Sequence, residues 1–383
     1  MKFIHTGDLH IGKVLHECDL LQDQRYILGQ IAGLAAREKV DAVVLAGDIY
    51  DRSIPTAEAV TVLDEFLTDL IEQGICVLAV SGNHDSPERL SFAGNILKRQ
   101  GLHLSGVCEK EIRKVTFSDD FGEVAFFLLP FMKPGDMKLY LKEEIKSCDE
   151  GVQKIIGRLP IDSAARNVLV THYFVTDAGS EPELSDSETR VVVGGLDQVE
   201  ASAFAGFDYT ALGHIHKPQQ IKERPVYYAG TPLKYSFSET MQEKSVNLVE
   251  LGKKGEVLVT KVPLKPLREM RILRGELKLL LADADYQGEG TDDFIRAVLT
   301  DKDELDDPIG RLRTVYPNVL QVVVERHYRD TDKLKLQEIE KPDKSVLELY
   351  SDFYQYVTDE ELDEERRQIL TEVICDSLGR DCL

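Results

Sequence analysis

The stretch AVVLAGDIYD, residues 42–51, runs five apolar residues straight into a glycine and an aspartate. A short unbroken apolar run of this kind reads as a strand buried on both faces. The same phrase recurs in KFIHTGD at 2–8, CVLAVSGN at 76–83, NVLVTH at 167–172 and DYTALGH at 208–214. Each time a side chain able to bind metal or move a proton stands where the strand stops. Further strand-like runs fall at 124–129, 226–229 and 246–251, and helix-length amphipathic segments at 24–39 and 56–73. Strand alternating with helix predicts an α/β domain with a mixed sheet, whose strand carboxyl ends form the ligand crevice.

At 383 residues and 43% hydrophobic, the chain is long enough for one large domain and one or two smaller units. The N-terminus MKFIHTGD has neither the positive flank nor the apolar core of a signal peptide. No apolar run reaches the ~18 residues a membrane span needs, so a cytoplasmic protein without a membrane partner is expected. The six cysteines, Cys18, Cys76, Cys108, Cys148, Cys375 and Cys382, form no C-x-x-C pair, which argues for free thiols. A net charge of −22 excludes nucleic-acid binding through a globally basic surface. It leaves room for a site at which metal ions supply the positive charge.

Five of the nine histidines, His10, His84, His172, His214 and His216, follow such apolar runs directly. Asp8 with His10, and His214 with His216, are two apart, so an extended chain would turn each pair to one side. Asp48 and Asp51 follow the second run; Asn83, His84 and Asp85 follow the third. Oxygen and imidazole donors without thiolate suit two divalent ions such as Mn²⁺, Fe²⁺, Zn²⁺ or Mg²⁺. Two cations ~3.5–4 Å apart repel, so one aspartate is expected to bridge them. Gly7, Gly47, Gly82 and Gly213 each precede a donor and are expected to let the backbone turn sharply beside the ions. Asp85 reads as a plain turn former ahead of the next helix.

Taken in order, GDLHIG, GDIYDR, GNHD, THYF and GHIH resemble the motifs of the calcineurin-like binuclear metallophosphoesterases. The block YYAGTPLKYSFSE narrows the resemblance to the nuclease subunits that bacteria pair with a coiled-coil ATPase. That resemblance implies an αββα fold, a β-sandwich flanked by helices. It also implies a small α+β capping domain and a C-terminal helical tail, with divisions at 1–265, 266–340 and 341–383. Carried over residue by residue, it assigns Asp8, His10 and His216 to one ion and Asn83, His172 and His214 to the other, with Asp48 bridging. His84 then faces the scissile phosphate as the catalytic residue. Where some relatives carry a second histidine this chain has Asp51, which either orients His84 or accepts hydrogen bonds within its turn.

Manganese is the ion the resemblance implies, and DNA the substrate, in end processing, repair, recombination and replication. The implied partners are a coiled-coil ATPase and a second copy of the chain, as a homodimer within a heterotetramer. The segment 87–99 is a candidate dimer contact, with core packing as the alternative. In the tail, Ser345 with Glu348 and Thr358 with Glu361 read as capping boxes of two helices. Val346, Leu349, Phe353 and Val357 form one apolar stripe; Leu362, Ile369, Val373 and Ile374 form another. These helices either pack on their own domain or grip the ATPase, while the acidic run 359–365 reads as a solvated face. A small-substrate phosphoesterase is the competing function, and a scaffold without catalysis the third.

Overall fold

The run Ala42–Ala46 is a strand buried at every residue in the computed structural model, which describes residues 1–108, 111–188, 198–287, 290–301, 303–325, 345–358 and 361–378. It lies parallel to Lys2–Thr6 on one side and Cys76–Val80 on the other. Leu102–Ser105 adds a further parallel strand; Ser245–Leu251 and Val257–Pro263 close the opposite edge antiparallel, giving six strands. A second six-stranded sheet centres on Arg166–His172, parallel to Gly122–Leu128 and to Tyr209–Gly213. The long parallel strands of both sheets therefore deliver their carboxyl ends to the site.

Between the sheets lies an apolar layer that includes Phe3, Val44, Val80, Phe126, Val168, Tyr209 and Val249. Phe3 meets Phe126 and Tyr209 edge-on at ring separations of 5.3 and 5.6 Å. Each such buried ring contributes about 1.5–3 kcal/mol in area alone. The helices Leu21–Glu38 and Ala57–Glu72 pack on the outer face of the first sheet, the latter capped by Thr56, whose hydroxyl accepts from Ala59 N. Pro134–Leu141 and Cys148–Ile156 cover the outer face of the second. The four layers are helix, sheet, sheet, helix: the αββα arrangement, with mixed sheets.

At the end of the sandwich away from the site, buried Arg166 donates to both oxygens of Asp119 and to the carbonyls of Gly122, Leu251 and Gly252. The sheets are thus joined by a multiply bonded guanidinium as well as by packing.

Two compact units divide the chain, Met1–Arg326 and His327–Leu383. The division expected after residue 265 falls inside the first unit. There Met270–Gly275, Phe294–Leu299 and Val319–Val324 form a three-stranded parallel sheet with its own core, including Leu277, Ile295, Leu299 and Leu312. Its middle strand was not foreseen, because FIRAVL is too short and mixed to mark its type. In the second unit, Val346–Thr358 and Glu364–Leu378 are helices. The first box forms as expected: Ser345 N donates to Glu348, and Glu348 N to Ser345 Oγ. The second rests on the side chain of Thr358, which lies outside the described set. Thr358 ends the first helix, and Asp363 caps the next by accepting from Arg366 N at 2.8 Å. An aspartate one residue before a helix start satisfies a free N–H of its first turn. The side chain of Val357 and residues 359–360 lie outside the described set.

No helix among the described residues is long and apolar enough to cross a membrane. Cys18, Cys76 and Cys108 are free thiols; Cys382 and the Cys375 side chain lie outside the described set.

Candidate metal centre

The strand ends bring all seven expected donors together, by a route the sequence reading did not foresee. Asp8, His10, Asp48 and His214 have φ of 51°, 44°, 47° and 104°. Their side chains converge because the backbone is left-handed there, not because an extended chain alternates. Four non-glycine residues in this region store strain where the ligands must be aimed. His214 and His216 accordingly diverge, each toward a different cluster. Nor does Gly82 act through a sharp turn: a Cβ there would lie 2.1 Å from Asp48 Oδ1. Gly47 needs both freedoms, with φ of 86° and a Cβ that would lie 2.4 Å from His172 Nδ1.

One cluster joins Asp8, His10 and His216. His10 Nε2 and His216 Nε2 stand 3.2 Å apart. The Nδ1 of His216 meets Ser187 Oγ, and the Nδ1 of His10 faces the Asp51 carboxylate at 3.6 Å. With their protons on Nδ1, both rings would turn lone pairs toward one another. Two facing lone pairs are stable around a cation, and 3.2 Å suits two nitrogens ~2.1 Å from one ion. Asp8 Oδ2, buried and without a hydrogen-bond partner, completes the set.

The second group joins Asn83, His172 and His214. Asn83 Oδ1 lies 2.9 Å from His172 Nε2 and 3.0 Å from His214 Nδ1. His172 Nδ1 donates to the carbonyl of Ala46 at 2.9 Å, which leaves its Nε2 as the nitrogen able to ligate. Asp48 Oδ2 lies between the groups, 3.4 Å from His172 and 3.8 Å from His10. Its other oxygen is fixed by the His84 N–H at 2.8 Å.

Charge follows burial and neighbours. Burial pushes the Asp8 carboxyl up to about 7 and the His214 imidazole down to about 3. Burial also opposes charge on His172, but Asp48 and Asp8 outweigh it and raise that ring to about 9. For the Asp48 carboxyl, burial is again opposed and outweighed: His172, His10 and His84 hold it well below its ordinary range. A site that demands a proton between two carboxylates is one where a divalent cation displaces that proton. The residues fit a divalent centre.

His84 stands beside the donors with its side chain 29% exposed, Nε2 4.0 Å from Asp48 Oδ2. Its Nδ1 donates to the backbone carbonyl of Asp51 at 2.9 Å. Asp51 thus holds His84 by its carbonyl, while its carboxylate takes the Lys13 ammonium at 2.8 Å and faces His10.

Asp85 is not the plain turn former expected from the sequence. Buried, it accepts from Gly82, Ile49 and Tyr50 N–H, tying the loop after Asp48 to the loop that carries Asn83; Ser86 caps the following helix instead. Asp85→Ala strands three N–H donors, two of them buried at about 1–3 kcal/mol each, so a loss of roughly 3 kcal/mol or more is expected in urea unfolding. A loss under about 1 kcal/mol would contradict this role.

Gln24, Tyr235, Ser187, Glu188 and Glu239 were missed altogether. Gln24 and Tyr235 both donate to the carbonyl of Leu9, and Gln24 also to that of His10. Such partners lie far off in sequence and share no spacing with the donors. The only signal was that Tyr235 and Glu239 sit in the block YYAGTPLKYSFSE.

A family profile described as Calcineurin-like phosphoesterase matches residues 1–218, more than half of the chain. The chain belongs to the calcineurin-like phosphoesterases. A second profile, Type 5 capsule protein repressor C-terminal domain, matches residues 266–358 of this phosphoesterase. The D subunit of the nuclease SbcCD from Staphylococcus epidermidis is 30% identical over 387 residues, covering 100% of both chains. That full-length match sets the chain with the SbcD proteins within the family. Two solved structures are each 12% identical. A dimetal phosphatase from Danio rerio has a TM-score of 0.40 over 70% of this chain and 98% of its own. The Thermus thermophilus protein TT1561 has 0.41 over 68% and 98%. Family membership makes the chain a phosphoester hydrolase of the nuclease and phosphoesterase kind, dependent on divalent metal.

Proposed function

We propose that the protein is a DNA phosphodiesterase, an exonuclease and endonuclease that uses two divalent ions, with Mn²⁺ as the ion. Asp8, His10 and His216 would hold one ion and Asn83, His172 and His214 the other, with Asp48 within reach of both groups. The observation that carries this reading is the double donor cluster with His84 beside it, in a chain whose full-length relative is named as the D subunit of the nuclease SbcCD. Such ions, when bound, would supply positive charge against the anionic phosphate and lower the pKa of a water beside it. His84 has its Nδ1 proton committed to Asp51, so Nε2 alone faces the cleft: a lone pair when neutral, a proton donor when cationic. Asp51 and Lys13 fix the floor beneath it.

The same reading assigns residues 1–265 to hydrolysis, 266–340 to guiding DNA and 341–383 to an SbcC-type coiled-coil ATPase. Exposed Leu349, Phe353, Ile369 and Val373 are apolar side chains on the tail helices suited to such a grip. In the segment 87–99, Phe92 is 80% and Ile96 70% exposed, which supports a contact with a second copy in a heterotetramer. A cytoplasmic location goes with that assembly.

With manganese, the wild-type chain is expected to cleave hairpin DNA, and faster with the ATPase, while a generic phosphomonoester turns over slowly. Rapid phosphomonoester turnover with no DNA cleavage would establish the small-substrate reading instead.

A further inference from the structure

Behind His216 lies a chain of contacts that the proposed ligand assignment does not use. Ser187 Oγ is 2.6 Å from His216 Nδ1 and 2.5 Å from Glu239 Oε1. A carboxylate only accepts, so the serine hydroxyl donates to Glu239 and the imidazole N–H donates to the serine. Glu239 is wholly buried, and the buried Lys244 ammonium beside it pairs a carboxylate charge there. Its second oxygen meets the buried Lys244 ammonium at 2.6 Å, and that ammonium also donates to the carbonyl of His216 at 2.9 Å.

The next residue grips the same histidine from its other end. Glu188 Oε1 accepts from His216 N at 2.5 Å, and Glu188 Oε2 accepts from Ser185 N at 2.8 Å. Around it, Asp186 N donates to Ser238 Oγ and Gln242 donates to Ser185 Oγ. Ser187 and Glu188 thus hold His216 by ring and by backbone.

We propose that Ser187 and Glu188 are positioning residues for His216, so that divalent-ion binding at Asp8, His10 and His216 is coupled to the ordering of residues 180–188. The proposal rests on the metal assignment made above. Ligating histidines commonly donate their second N–H to a carboxylate, which fixes the tautomer and raises ligand basicity. Here a serine is interposed, and it belongs to a segment remote in sequence from every donor. Linkage is reciprocal: whatever the segment contributes to ion affinity, the ion returns as order in the segment.

The test uses the full-length protein and Mn²⁺, with affinity read by competition against a chromophoric chelator and amide exchange of residues 180–188 read with and without the ion. In the wild type, Mn²⁺ is expected to slow exchange in this segment. Ser187→Ala is expected to weaken one of two ions about 10–100-fold, leave the other unchanged and abolish the protection; Ser187→Thr, which keeps the hydroxyl, should retain most of both. Glu188→Gln should weaken the same ion with the Ser187 relay intact. A wild type that binds no Mn²⁺ would overturn the metal assignment itself. Normal affinity for both ions in folded Ser187→Ala, or a threonine variant as weak as the alanine one, would overturn only the coupling.

Discussion

Asp48→Ala is expected to lose both divalent ions and to reduce phosphodiester cleavage to background. Its Oδ2 faces His172 on one side and His10 on the other, at 3.4 and 3.8 Å. Without it the ions would repel with nothing shared between them, and His84 N would lose the acceptor that holds it. Outer-sphere partners of metal ligands are worth about 10–100-fold in affinity, so a bridging ligand should cost at least about 10²-fold. Metal content by elemental analysis and the nuclease rate check this together. Full activity with normal metal content would place the catalytic centre elsewhere.

His84→Ala is expected to behave differently: turnover falls about 10²–10⁴-fold while both ions stay bound. With Nδ1 committed to the Asp51 carbonyl, the ring presents one nitrogen, and that nitrogen sits at the rim of the cluster. Its 4.0 Å separation from Asp48 also lets it count geometrically among three groups able to surround an ion with His10 and Asp48. The two roles part in the variant. Metal retained with turnover lost marks a group acting on the phosphate, and metal lost marks a ligand.

Much of this was legible because buried parallel strands announce themselves. Residues 2–6, 42–46 and 76–80 were expected as strands and occur as Lys2–Thr6, Ala42–Ala46 and Cys76–Val80. A strand covered on both faces must be apolar throughout, so its ends are sharp in the sequence. Val257–Pro263, half exposed at the edge of its sheet, leaves no such mark, nor does the short strand Leu102–Ser105. Tail caps were harder, since threonine, aspartate and serine all compete for a helix start. Only the hydrogen bond to Asp363 decided it.

The sequence alone determined which side chains could meet, because metal chemistry narrows the donors to aspartate, asparagine and histidine, and parallel strands deliver their ends to one edge. Tertiary structure decided how they meet. Left-handed backbone at Asp8, His10 and Asp48 aims the donors, and Asp85 ties two loops through three N–H groups. Asp51 turns its carbonyl to His84 and its carboxylate to Lys13. Ser187 reaches His216 across 29 positions of chain. Such contacts depend on φ angles and on close approach between distant segments, and neither is written in the spacing of residues along a strand.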